Sequence, residues 1–185
     1  MLFLEHEIRF VVGETEMKKN LKLIISAIVL IGIIAFSLIY TLPMTIEQRY
    51  PYLDASKCTQ IQGYYFRGTD SEDTWFVINS DDPHFDELIE IIQSSAFKTK
   101  LLNILPQGTK TYRYGDDDFK WNLMLLYEDV YFPDGSTGSG HLLHIDNFFG
   151  DLSITSNGEQ VCCSVNNQGQ WLKNVMSIIS QYAVE

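Results

Sequence analysis

The string His141-Leu142-Leu143-His144-Ile145-Asp146 comes closest to a chemical arrangement in this chain. On a helix its two imidazoles would share a face, whereas on a strand residues three apart point oppositely. The segment reads as a strand, which places His144 and Asp146 on one face and turns His141 away. Two ligands are too few to close a metal site. His144 and Asp146 are therefore weak metal candidates, and ordinary exposed polar residues are the plainer reading. A hydrolase or metal-dependent enzyme built on them would need a distant acid such as Asp118.

Other groups carry less. Asp116-Asp117-Asp118 and the loop at Asp134 offer carboxylate oxygens, but neither has the alternating acids and fixed glycine of a calcium loop. Both fit turns, where aspartate and glycine are favoured for backbone reasons. Ser139 lies between two glycines without the GxSxG spacing of a hydrolase elbow. No phosphate-cradling or dinucleotide motif occurs, so no cofactor is implied. Cys58, Cys162 and Cys163 form no CxxC pair. As strand neighbours, Cys162 and Cys163 point to opposite faces, so at most one of them reaches Cys58. Buried free thiols are the expectation. These residues favour a non-catalytic protein over an enzyme.

Aromatic residues are the other unusual feature, clustered as Tyr64-Tyr65-Phe66, Trp75-Phe76, Tyr131-Phe132 and Phe148-Phe149. Adjacent aromatics on a strand point both ways, so part of them must leave the main core. Tyr65, Trp75, Tyr131 and Phe148 are the candidates for an aromatic binding face, suited to a peptide, a glycan or a partner protein. The plainer expectation is packing beneath loops.

The elements that would position these residues follow from periodicity. Cys58–Phe66 and Thr74–Asn79 read as an antiparallel hairpin. Asp82 as N-cap and Pro83 at the first position open a helix with Phe85, Leu88, Ile89 and Ile92 on its buried stripe. Phe97–Leu105 reads as a second short helical piece. Five strands then follow, Thr109–Tyr114, Phe119–Phe132, His141–Asp146, Leu152–Thr155 and Gln160–Val165. In the second of these, Phe119, Trp121, Leu123, Leu125 and Tyr127 share a face. Asn157-Gly158 marks a tight hairpin. A closing helix carries Trp171, Val175, Ile178, Ile179 and Tyr182 along one stripe. The fold class expected is α+β, a small antiparallel sheet with two helices packed on one side.

Ahead of this domain lies Leu21–Leu42, in which eighteen residues from Leu23 to Tyr40 carry no charge. At the helical rise the stretch covers about 30 Å, the hydrocarbon thickness of a bilayer. Apolar residues occupy every face, unlike a core helix. The run is too long for a signal peptide and lacks a small-x-small site beyond it. An uncleaved anchor in the lipid bilayer is the reading; a secreted domain released by signal cleavage is the alternative. Lys18, Lys19 and Lys22 precede the run, and Arg49 is the first basic residue after it. Basic flanks stay inside, so a single-pass cell-membrane protein with a cytoplasmic N-terminus and an extracytoplasmic C-terminal domain is expected.

The organisation expected is a short cytoplasmic tail over 1–20, the anchor over 21–42, a stalk over 43–56 and the domain over 57–185. Residues 1–16 are acidic, and Met17-Lys18-Lys19-Asn20 makes a more natural start; codons for Gly13-Glu14 permit a purine-rich ribosome-binding sequence just upstream. Translation from Met17 is therefore expected. Nine Lys and Arg stand against twenty Asp and Glu in residues 43–185, so the whole net charge of −11 belongs there. That excludes nucleic acid as a natural partner. The functional expectation is a binding or protein-interaction module at the cell envelope, with a protein, peptide or glycan as partner.

Overall fold

The computed structural model describes residues 2–67, 74–104, 119–147 and 152–182. It divides into two units, residues 1–40 and 41–185. The first is helix α1, Leu2–Tyr40. Within it, Asn20–Tyr40 is long and apolar enough to cross a membrane, with a mean hydropathy of 2.8 and nothing buried. The helix continues back to Leu2, through the residues expected to form a short tail.

The second unit is an α+β fold. Among the described residues it holds one antiparallel sheet of eight strands, in the order β1-β4-β8-β7-β6-β5-β2-β3. The strands are β1 Pro43–Met44, β2 Cys58–Arg67, β3 Thr74–Asn79, β4 Phe97–Thr99, β5 Phe119–Tyr131, β6 Thr137–Asp146, β7 Leu152–Ser156 and β8 Glu159–Val165. Helices α2 (Ile46–Arg49), α3 (Phe85–Ser94) and α4 (Gln168–Ile179) flank it.

Strand β5 is the centre of the core, and its alternation explains why. Trp121, Leu123, Leu125 and Tyr127 are all buried, and they meet Ile61, Phe76, Ile78, Leu143 and Ile145 of the neighbouring strands in one cluster. Phe85, Leu88 and Ile92 of α3 join it, as do Trp171, Val175, Ile178 and Ile179 of α4. The helices thus cover one sheet face, where Trp171 lies 5.8 Å from Trp121 and 6.1 Å from Phe97. Ile89 is only partly buried at the edge of this cluster.

Three local readings are corrected. Residues 43–56 do not form a stalk free of the fold. Pro43 and Met44 pair with Lys98 and Phe97, and Ile46, Tyr50 and Leu53 lie in the core. Thr45 starts α2 through a capping box in which its hydroxyl accepts from the Gln48 amide and the Gln48 side chain accepts from Thr45 N–H. Phe97 opens strand β4 rather than a helix; only Leu101–Ile104 turns, as a 3-10 helix. Helix α3 begins at Phe85 after a turn at residues 80–84, with Asp82 Oδ1 accepting from His84 N–H at 2.9 Å. The strand expected at Thr109–Tyr114 lies outside the described residues.

The Asn157-Gly158 hairpin is formed as expected, with φ of 48° and 77°. Both residues sit in the left-handed region that lets a two-residue turn follow the twist of its strands.

Candidate functional site

Strand pairing lays out the sheet face opposite α3 and α4 as rows of side chains, because directly paired residues point the same way. One row runs Val77, Gln62, Met124, His144, Thr155 and Gln160 across β3, β2, β5, β6, β7 and β8. The next runs Trp75, Tyr64, Asn122, Asp146, Ser153 and Cys162. His144 and Asp146 therefore do share a face, in neighbouring rows.

His141 shares it too, against expectation. Leu125 pairs with Leu143 but Leu126 pairs with His141, so Leu142 is an extra residue in β6. A bulge of this kind breaks the two-residue period and re-aims the side chain beyond it. The two imidazole rings come to 6.5 Å between centroids, nearly perpendicular. His144 Nε2 donates to the His141 carbonyl at 3.1 Å, and His141 Nε2 meets the Gln62 side-chain amide. Asp146 is buried.

Among the described residues no three His, Cys, Asp or Glu side chains converge on a common point. Asp118, the distant acid the enzyme reading required, lies outside the described residues. Ser139 is occupied structurally, its Oγ accepting from the Asp129 amide at 3.0 Å. Asp134 accepts from Ser136 Oγ at 2.6 Å and Ser136 N–H at 2.9 Å, and these two bonds hold its carboxyl below the usual carboxylate range. It is spent on its own turn.

The chain matches no protein-family model, no curated protein and no solved structure.

The four aromatic candidates do not gather. Tyr65 pairs with Trp121 and packs against the core on the helix-covered side. Trp75 is on the face opposite α3 and α4, 50% exposed, with its ring 4.7 Å from that of Tyr64. Tyr131 is 68% exposed at the far end of β5, with Lys57 Nζ 4.9 Å above its ring. Nine residues of β5 separate Tyr131 from Asn122 in the Trp75 row, roughly 25–30 Å of strand. Phe148 lies outside the described residues.

A smaller aromatic and aliphatic group replaces that platform. Trp75 and Val77, the latter 44% exposed, stand two residues apart on β3 with Tyr64 beside them. The signal was present in Thr74-Trp75-Phe76-Val77-Ile78-Asn79: Phe76 and Ile78 go inward, which obliges Trp75 and Val77 to face out. Among the described residues β3 is also the last strand of the sheet, paired with β2 alone.

Proposed function

We propose that this chain is a membrane-tethered, non-catalytic binding module that captures an extended segment of a partner protein along β3. The observation that carries the reading is the coincidence, on one terminal strand, of an edge that no described strand pairs and two exposed apolar side chains. An open edge offers backbone donors and acceptors to an incoming strand, and outward side chains add specificity. Natural sheets blunt such edges with charge, proline or a bulge; Thr74–Asn79 contains none of these. The acidic domain favours protein or peptide over polyanionic partners.

The apolar part of α1 supplies the tether, with the domain outside the cytoplasm because Lys18, Lys19 and Lys22 flank the run on one side only. Protease added to intact protoplasts is expected to degrade the domain; protection until the membrane is opened reverses the orientation.

The binding reading is tested by placing a photo-crosslinking residue at position 77 and, as a control, at exposed position 173 on α4 of the membrane-embedded protein. Adducts with a protein at position 77 but not at 173 are expected. No adduct at 77, or equal adducts at both positions, would remove β3 as the binding edge.

A further inference from the structure

At the opposite side of the sheet from β3, a cavity of about 410 Å³ opens between the β1–α2 segment and the β7–β8 hairpin. Its walls include Gln48, Arg49, Tyr50, Tyr52, Asn157 and Glu159. We propose that it binds a small zwitterion, a molecule carrying an ammonium group and an anionic group a few bonds apart.

Arg49 forms one wall of this cavity. Its guanidinium is half-buried and held by neutral oxygens alone, with Nη2 donating to Thr99 Oγ1 at 2.6 Å and to the Phe97 carbonyl at 3.5 Å. No carboxylate among the described residues lies within ion-pair distance of it, although acids outnumber bases twenty to nine in residues 43–185. Thr99 and Phe97 fix the group from the β4 side, and no described carboxylate pairs with it. A planar, pre-oriented guanidinium is suited to a carboxylate or phosphate, which it meets with two parallel hydrogen bonds.

Glu159 supplies the opposite charge. It follows the Asn157-Gly158 turn directly, so its position is set by a two-residue hairpin rather than by a loose loop. It lines the same cavity as Arg49, yet the two do not form an ion pair. A lone anion in this space would gain from Arg49 and lose to Glu159, and a lone cation the reverse. A ligand with both charges satisfies both walls.

The remaining surface fits the body of such a ligand. Tyr50 is 4% exposed, and its hydroxyl has no hydrogen-bond partner among the described residues. The Tyr52 ring stands edge-on to Tyr50 at 6.0 Å, and its hydroxyl is tied to Ser156 Oγ at 3.0 Å. Tyrosine faces accept both methylene groups and an ammonium. The volume lies in the range of small-molecule sites and takes an α-amino acid with its side chain. The phosphoethanolamine headgroup of a lipid carries the same pair of charges.

The test uses the full-length protein in detergent, titrated calorimetrically with α-amino acids and with free phosphoethanolamine. N-acetylated amino acids and amino-acid amides, each lacking one charge, serve as controls. A lipid source is separated from a free one by thermal unfolding in phosphatidylethanolamine against phosphatidylglycerol nanodiscs. Saturable binding of a zwitterion is expected, weakened at least about tenfold in the single-charge analogues and in Glu159→Gln. Glu159 is exposed and outside the core, so this variant keeps the fold; an unchanged melting temperature without ligand confirms it. Arg49→Gln should weaken the anion contact in parallel. The proposal falls if no zwitterion binds up to about 10 mM. It falls equally if the blocked analogues bind as well as the zwitterions, or if Glu159→Gln binds like the wild type.

Discussion

Tyr182 donates its phenolic hydrogen to the Asp82 carboxylate, joining the end of α4 to the turn before α3 across one hundred residues of chain. The same oxygen accepts from His84 N–H, and the His84 ring stands edge-on to Tyr182 at 6.2 Å. The bond from Tyr182 first, and the His84 amide second, hold the Asp82 carboxyl below its usual range. A depressed folded pKa contributes stability that is present above the unfolded value, about 4, and lost as pH falls through the folded one. Tyr182→Phe should therefore melt lower than the wild type at pH 7, with the gap closing toward pH 2. A gap that stays constant over this range would mean that the tyrosine acts through packing and not through the carboxylate.

Leu123 and Ile46 test two parts of one core. Both are completely buried, one at the middle of β5 and the other in the segment just after β1. Leu123→Ala and Ile46→Ala should each destabilise the domain by about 2–5 kcal/mol. Denaturant unfolding followed by tryptophan fluorescence measures this. If Ile46→Ala cost less than about 0.5 kcal/mol, residues 43–56 would not belong to the cooperative unit.

Gly63 occupies a slot that no side chain fits. A Cβ there would collide with the Asn122 carbonyl and come to 3.0 Å from Phe76 Cζ. Since the carbonyl belongs to the β2–β5 ladder, relief requires moving backbone. Gly63→Ala should cost about 1–3 kcal/mol through overpacking. An alanine variant as stable as the wild type would show that the two strands part without penalty.

The thiols should be inert in the folded protein. Burial pushes both Cys58 and Cys163 up to about 12, and all three cysteines are buried. At pH 8 only roughly one Cys58 or Cys163 in ten thousand would be thiolate. Ellman's reagent should label neither until denaturant is added. Rapid native labelling of Cys58 would contradict the burial of the start of β2.

Where residues repeat locally, sequence was a good guide. Alternation in Phe119–Tyr127 and the four-residue stripe of α4 are properties of neighbouring side chains, and both reappear in the core. What escaped depended on partners distant in the chain. Phe97–Thr99 is too short to show a period, and its strand character comes from pairing with Cys163–Val165. Ile46, Tyr50 and Leu53 have helical spacing, but Pro51 and the polar residues between them suggested a linker. The bulge at Leu142, which returns His141 to the face of His144, is set by pairing with β5 and leaves no local trace. Tyr64, Tyr65 and Phe66 offered no way to choose the inward residue until Tyr65 was paired with Trp121.

Strand β1 also determines how the domain would respond to a pull. Only Thr41 and Leu42 separate α1 from Pro43, so tension on the apolar helix enters the sheet at two residue pairs, Pro43 with Lys98 and Met44 with Phe97. That short ladder at the sheet edge yields first, while Arg49, latched to Thr99, and the buried Tyr50 and Leu53 resist as a second stage. Each residue peeled away releases at most about 3.6 Å of chain. The anchor point is thus a mechanical fuse: it gives a short extension before the longer ladders of the central strands begin to part.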